Sequence, residues 1–266
     1  MKETYAPVLL ERKASLLRRE TGNPAYRSIL ALDLTPNQVI IQGLVRPCKM
    51  LLFSPVVTIL CIYVAVMYGL LYILFTTFTF VFMDNYGFST GSAGLAFLGS
   101  GVGMLIGLVF VGALSDRNLK AQRARGNDIR PEDRLPLHLT IPAALSLPIG
   151  LFIYGWGADK HAHWIVPQIG TAIIGFGMIG ILMCIQTYLV DAFPRHAASV
   201  TAANAVLRSL LGALLPLIGL DLYDALGLGW GNSLLAFIAL GLAPIPVMFA
   251  VVGERIRTNP KARVIL

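Results

Sequence analysis

The sequence predicts an all-α integral membrane protein with six spanning helices. Three observations carry this reading. Hydrophobic residues make up 56 % of the chain and charged residues 13 %, at a mean hydropathy of +0.72. A soluble domain is nearer a quarter charged, because its surface needs charge to stay in water. The few charges cluster in short segments and leave six long runs almost free of Asp, Glu, Lys and Arg. Finally, the basic residues fall overwhelmingly on one side of those runs.

A bilayer core about 30 Å thick takes roughly 20 apolar residues per helix, at a rise of about 1.5 Å each. Helix A is expected within Met50–Met83 and helix B within Asn85–Ser115. Helix C lies within Leu137–Ala158 and helix D within Trp164–Val190. Helix E covers Ala197–Leu220 with one charge, Arg208, and helix F lies within Asn232–Gly253. Pro142, Pro148, Pro216, Pro244 and Pro246 fall inside these runs. They would break long soluble helices, but membrane helices tolerate them because neighbours re-satisfy the freed backbone groups.

Charge orients the helices. Lys2, Arg12, Lys13, Arg18, Arg19, Arg27, Arg46 and Lys49 precede helix A. Arg117, Lys120, Arg123, Arg125, Arg130 and Arg134 fill the B–C loop, and Arg195 sits between D and E. Arg255, Arg257, Lys261 and Arg263 follow helix F, whereas the opposite side holds only Lys160. Basic loops stay in the cytosol. Both termini are therefore expected there, as an even helix count requires. Three segments follow: a cytosolic stretch 1–49, a six-helix membrane region 50–253 and a cytosolic tail 254–266. The basic residues are dispersed among separate loops, so they form no coherent surface for nucleic acid.

The opening residues are charged and give no secretory leader. Val8–Arg19 sets Leu9, Leu10, Leu16 and Leu17 among basic residues, an amphipathic helix for a membrane surface, for the cytosolic helix ends or for a linker. Cys48, Cys61 and Cys184 have neither disulfide nor metal spacing, and His161-Ala-His163 lacks a third ligand. No metal or cofactor is expected. Gly175-Phe-Gly177-Met-Ile-Gly180 matches a dinucleotide fingerprint only in letters, because no strand precedes it. Gly87-Phe-Ser89-Thr-Gly91 matches a nucleophile elbow but has no histidine at membrane depth to serve as base. Asn23-Pro-Ala is half of a water-channel signature, in a polar segment.

Within the helices, small and polar residues are patterned. Gly99, Gly103 and Gly107 of helix B recur every four residues, and helix D carries Gly170, Gly175, Gly177 and Gly180. Such stripes let backbones approach closely, as static packing or as sliding surfaces. Tyr68, Tyr72, Thr76 and Thr79 share one face of helix A. They serve interhelical hydrogen bonds or line a cavity for an amphipathic or cationic ligand. Thr201, Asn204 and Arg208 share a face of helix E, with Arg208 roughly 16 Å deep. A guanidinium there costs at least about 2.5 kcal/mol. It is a functional candidate, with a structural ion pair to Asp191 at the foot of helix D as the plain alternative.

Gly112-Ala-Leu-Ser-Asp116-Arg117 resembles the second-half loop signature of the major facilitator superfamily. Longer strings resemble its fungal drug:proton antiporter branch, which includes polyamine-transporter-like members. They include Tyr68-Gly-Leu-Leu-Tyr72, Pro131-Glu-Asp-Arg-Leu-Pro136, Thr187-Tyr-Leu-Val-Asp-Ala-Phe193 and Ala202-Ala-Asn-Ala-Val-Leu-Arg-Ser209. The resemblance implies one half of a major facilitator fold, a 3+3 inverted repeat supplying helices seven to twelve of twelve. It implies secondary transport of a small organic solute, as multidrug or polyamine-like efflux by proton antiport, at the plasma membrane, and no enzymatic chemistry. Tyr68, Tyr72, Thr76, Asn204 and Arg208 become the substrate-side candidates, and Asp116 and Arg117 a gating loop. The family's first-half loop, fourth-helix and fifth-helix motifs have no counterpart here. The expected partner is therefore a missing or separate N-terminal six-helix half, or a second copy. The chain alone is not expected to transport. The competing expectation is a membrane interaction protein that has lost transport.

Overall fold

The computed structural model describes residues 6–29, 36–124, 126 and 130–258. Lys2, Arg125, Lys261 and Arg263 of the basic set lie outside the described residues, as does the side chain of Arg195. The chain divides into two compact units, 1–45 and 46–266. The first contains α1 (Ala6–Thr21), the expected amphipathic helix, with Leu9 and Leu16 exposed and Arg18 paired to Glu11 at 2.5 Å. The start of α2 (Pro36–Phe53) also belongs to it.

The second unit holds the membrane helices. Helix α3 (Pro55–Tyr86) starts at a proline, suited to a first turn whose N–H groups have no partner. It stops at Gly87, whose φ of 64° is the left-handed conformation of a helix C-terminus. A one-turn helix, α4 (Thr90–Ala93), leads to α5 (Ala96–Ala124). A 3-10 turn (Pro131–Arg134) precedes α6 (Leu137–Asp159) and α7 (Ile165–Ala192). Then come α8 (Ala197–Leu214), a 3-10 segment at Leu215–Ile218 that contains Pro216, α9 (Gly219–Leu242) and α10 (Pro244–Thr258).

The largest boundary difference lies at the end of α5. The loop expected from Ser115 is helical as far as Ala124. The segment Leu119-Lys-Ala-Gln-Arg-Ala124 consists of good helix formers, so α5 continues past its apolar run.

Five helical stretches are long and apolar enough to cross a membrane, and the last, Ala197–Thr258, has 62 residues. Straight, it would extend about 93 Å, three times the bilayer core. It folds back at Gly227, where φ is 71° and only glycine is unstrained. The Tyr223 hydroxyl donates to Asn232 Oδ1 at 3.0 Å, although nine residues of straight helix would put them about 13 Å apart. The stretch therefore supplies two spans, and the total is six.

The spans form two triples, with α3, α5 and α6 in the first. The second has α7, then α8 through the start of α9, then the rest of α9 with α10. The first helix of each triple packs on the second helix of the other: α3 on α8, and α7 on α5. The third helices pack on each other. Exchanging the triples preserves this pattern. Three crossings separate them, so equivalent helices run in opposite directions, which makes the repeat inverted.

Helix α7 is held by glycines on two faces. A Cβ at Gly103 of α5 would strike the Ala172 backbone, and one at Gly107 would lie 2.7 Å from the Phe176 carbonyl. Gly175 returns the contact against Ser100. Toward α6, a Cβ at Gly177 would lie 2.7 Å from the Ala143 carbonyl, and Gly150 and Gly170 meet backbone to backbone. Both glycine stripes are places of close helix approach.

At the basic end of the bundle, the 3-10 turn and the residue before it clamp two helices. Arg134 Nε donates to Asp191 Oδ2 at 2.6 Å, joining it to α7. Arg130 pairs with Glu254 at 2.8 Å, and Glu132 with Arg257 at 3.3 Å, joining it to α10. The expected Asp191–Arg208 ion pair does not form. Asp191 is occupied by Arg134, which starts at the same end of the bundle, whereas Arg208 sits about three turns up α8 and faces α3.

Candidate ligand-binding face

The seam between α3 and α8 gathers most of the polar candidates. Tyr68 and Tyr72 are one turn apart on α3, with ring centroids 4.7 Å apart and hydroxyls 3.2 Å apart. Arg208 approaches from α8, its guanidinium carbon 4.7 Å from the Tyr68 ring centroid. A cation over an aromatic face gains about 0.5 to 2 kcal/mol, more when water is excluded. Gly212, one turn beyond Arg208, makes room for the rings: a Cβ there would stand 3.1 Å from Tyr68 Cδ1. Arg208 Nε is buried without a hydrogen-bond partner, and among the described residues no carboxylate pairs with this arginine.

Toward the basic end the face continues as a chain of amides and hydroxyls. Asn204, 2 % exposed, donates through Nδ2 to Gln186 Oε1 at 2.7 Å. Gln186 Nε2 donates to Thr201 Oγ1 at 3.0 Å, so the chain ties α7 to α8. Asn204 Oδ1 is buried and has no partner. Gln186 escaped the sequence reading. Its signal was an amide set inside the apolar run of α7.

Away from the basic end the face becomes aromatic. The Tyr72 ring lies 6.0 Å from Phe75, and Phe75 lies 5.7 Å from Phe97 of α5. Thr76 is exposed beside this ladder, its hydroxyl donating within α3 to Tyr72 and Ile73 carbonyls at 3.1 and 2.9 Å. The arrangement grades from hydrogen-bonding groups, through one fixed cation, to apolar rings.

Asp116 and Arg117 stand apart. Both are exposed on the helical end of α5, and neither bonds to the other five candidates among the described residues. Ser89 of the elbow look-alike caps α4, accepting from the Ser92 N–H at 3.3 Å.

The family model described as Major Facilitator Superfamily matches residues 6–216. The chain is 54 % identical over 264 residues to MFS-type transporter penM of Penicillium rubens, covering 99 % of this chain and 52 % of that protein. It is 52 % identical to MFS-type transporter atr4 of Stereocaulon alpinum, covering 98 % of this chain and 47 % of that one. To MFS-type transporter tndD of Aspergillus flavipes it is 50 % identical, with 97 % and 48 % covered. The chain thus spans about half the length of the curated relatives it matches. No solved structure matches it.

Proposed function

Because the chain belongs to the major facilitator superfamily, we propose that it serves secondary active transport of a small organic solute across a membrane. We take it as the C-terminal half of a transporter, moving against another six-helix half. It is a multi-pass membrane protein, and its relatives carry transporter names, outside the enzyme classes. The observation that carries the proposal is the α3–α7–α8 face. Tyr68, Tyr72, Asn204 and Arg208 are brought together at membrane depth with hydrogen-bonding capacity left over. On a helix meeting lipid such groups are costly, and inside a bundle they mark pathways. The outward stripe Leu98, Val102, Leu105 and Val109 on α5, and Val206, Leu210 and Leu214 on α8, supplies apolar surface for the other half.

The finer expectations are part of this reading. The coupling ion is the proton, the direction is efflux, and the solute is of multidrug or polyamine-like type. The membrane is the plasma membrane, with both termini in the cytosol. Asp116 and Arg117, about two turns before the end of α5, would meet a helix of the other half and gate the inner opening. The deciding experiment is flux into vesicles by this chain joined to a first half from a relative, against the chain alone. Uptake by the joined form only is the expected result. Saturable flux by a demonstrably monomeric chain alone would overturn the half-site reading. Correct assembly with no flux in either form would leave a membrane interaction protein.

Orientation is tested separately. In a background lacking Cys48, Cys61 and Cys184, single cysteines at Lys120 and His161 should react with an impermeant reagent from opposite faces. Reaction of both from the same face breaks the proposed topology.

A further inference from the structure

We infer that the solute is an amphipathic organic anion, held with its carboxylate or equivalent group on Arg208 and its apolar body along Tyr72, Phe75 and Phe97. The inference rests on reading this face as a ligand site, and it adds the charge class and the direction in which the ligand lies.

The first support is an unbalanced charge. Of the fourteen acidic residues, none falls within 85–115, 137–158, 164–190 or 197–220, which hold most of the length of α5 to α8. On α3 the only acid is Asp84, sixteen residues beyond Tyr68, or about 24 Å along the helix. The elements packed around Arg208 therefore present hydroxyls, amides and aromatic rings at its level. A tyrosine face attracts a cation without neutralising it. Arg208 Nε keeps an unused donor in a buried position. A planar fork of donors around a full positive charge is best completed by a carboxylate or phosphate.

The second support is the tyrosine pair. Two hydroxyls 3.2 Å apart share one hydrogen bond, so one proton is engaged and the other is free to be donated. A free O–H beside a guanidinium strengthens an anion site. For a cationic ligand the site has the wrong sign, since the ligand would approach a fixed positive charge in a medium that screens poorly. This separates the site from an aromatic cage for amines, where the negative ring faces meet the ligand with no fixed cation beside them. It also argues against the polyamine-like solute of the broader reading.

The third support is the grading of the face. Hydrogen-bonding groups lie on one side of Arg208, and the ladder Tyr72, Phe75, Phe97 runs the other way. A ligand with its head on the guanidinium places an aromatic or aliphatic body on that ladder, pointing away from the basic end of the bundle.

The test uses the full chain in lipid nanodiscs and three probes sharing one ring system: 2-naphthoate, 2-naphthylmethanol and 2-naphthylmethylammonium. Affinities are read by titration calorimetry at up to millimolar concentration. The expected result is 2-naphthoate binding at least tenfold tighter than the alcohol, and the ammonium weakest. Arg208→Gln should bring the anion-to-neutral ratio close to one, and Arg208→Lys should keep part of it. Tyr72→Leu should weaken the anion and the alcohol alike. Equal or tighter binding of the ammonium overturns the anion inference and leaves a ligand site standing. So does an anion preference that survives Arg208→Gln. Absence of binding by all three probes overturns the inference and the ligand-site reading together.

Discussion

In the middle of the α5–α7 seam, glycines meet backbone; between α3 and α8, they meet mainly side chains. Gly103 faces the Ala172 main chain and Gly107 that of Phe176, and Gly175 faces Ser100 from the other side. A Cβ at Gly69 would instead meet the end of Leu215 first, with the Leu211 carbonyl at 3.2 Å, and Gly212 faces the rings of Tyr68 and Tyr72. A main chain locked in a helix cannot yield, whereas a ring or a leucine tip can rotate. The two seams occupy equivalent places in the inverted repeat and have diverged in kind. The α5–α7 seam is closed, its polar groups Gln168, Thr171 and Ser100 bonded to nearby carbonyls and N–H groups. The α3–α8 seam keeps buried polar atoms without partners at Arg208 and Asn204. Repeat symmetry makes this contrast informative, since one copy shows what packing alone requires and the other shows what has been added.

The largest effect should come from the closed seam. Gly103→Val puts a branched side chain into the Ala172 main chain, and separation of the helices should cost about 3 kcal/mol or more. Loss of the monodisperse peak in size-exclusion chromatography, or a collapse of the melting temperature, is the readout. A variant that melts like the parent would break the comparison at its rigid end. Gly212→Ala in the open seam should cost only about 1 kcal/mol, because the Tyr68 ring can give by a few tenths of an ångström. It should also shift Tyr68 relative to Arg208, visible as altered tyrosine fluorescence. A melting shift as large as that of Gly103→Val would erase the distinction between the seams. The smallest change in stability belongs to Arg208→Leu. Removing the guanidinium saves a membrane cost of about 2.5 kcal/mol and loses a cation–π contact of about 1 to 2 kcal/mol. Expression and melting should stay near the parent, while flux through the joined transporter is lost. Normal flux would remove the functional role of Arg208, and normal melting with normal flux would remove any role.

The six spans were legible because exclusion of charge from hydrocarbon is a strong, local rule. Even the fold-back near Gly227 was implied, since the run ending at Leu220 and the run beginning at Asn232 each suffice for one crossing, with Asp221 and Asp224 between them. The extension of α5 to Ala124 was not, because charge distinguishes membrane from water but not helix from loop. The partner of Asp191 was misread for a different reason. Depth along α8 let Arg208 lean toward that aspartate, whereas the choice between Arg134 and Arg208 depends on how α8 is rotated and where the 3-10 turn docks. Gly99, Gly103 and Gly107 announced a close approach without naming the partner, which is α7. The clustering of Tyr68, Tyr72, Asn204 and Arg208 required two helices far apart in sequence to meet, and spacing within either helix could not supply that.

The meeting of Arg208 with Tyr68 also bears on how the chain enters the membrane during synthesis. Tyr68 is made roughly 140 residues before Arg208, which at about 5 to 20 residues per second is an interval of roughly 7 to 28 seconds. When α8 emerges it carries a mid-span guanidinium that raises its insertion cost. A helix bearing a tyrosine face, and already resident in the bilayer, can receive that charge as it leaves the translocon. In this sense α3 is the docking template for α8, and ring-removing changes at Tyr68 should surface first as a biogenesis defect, with the fifth span stalled or expelled.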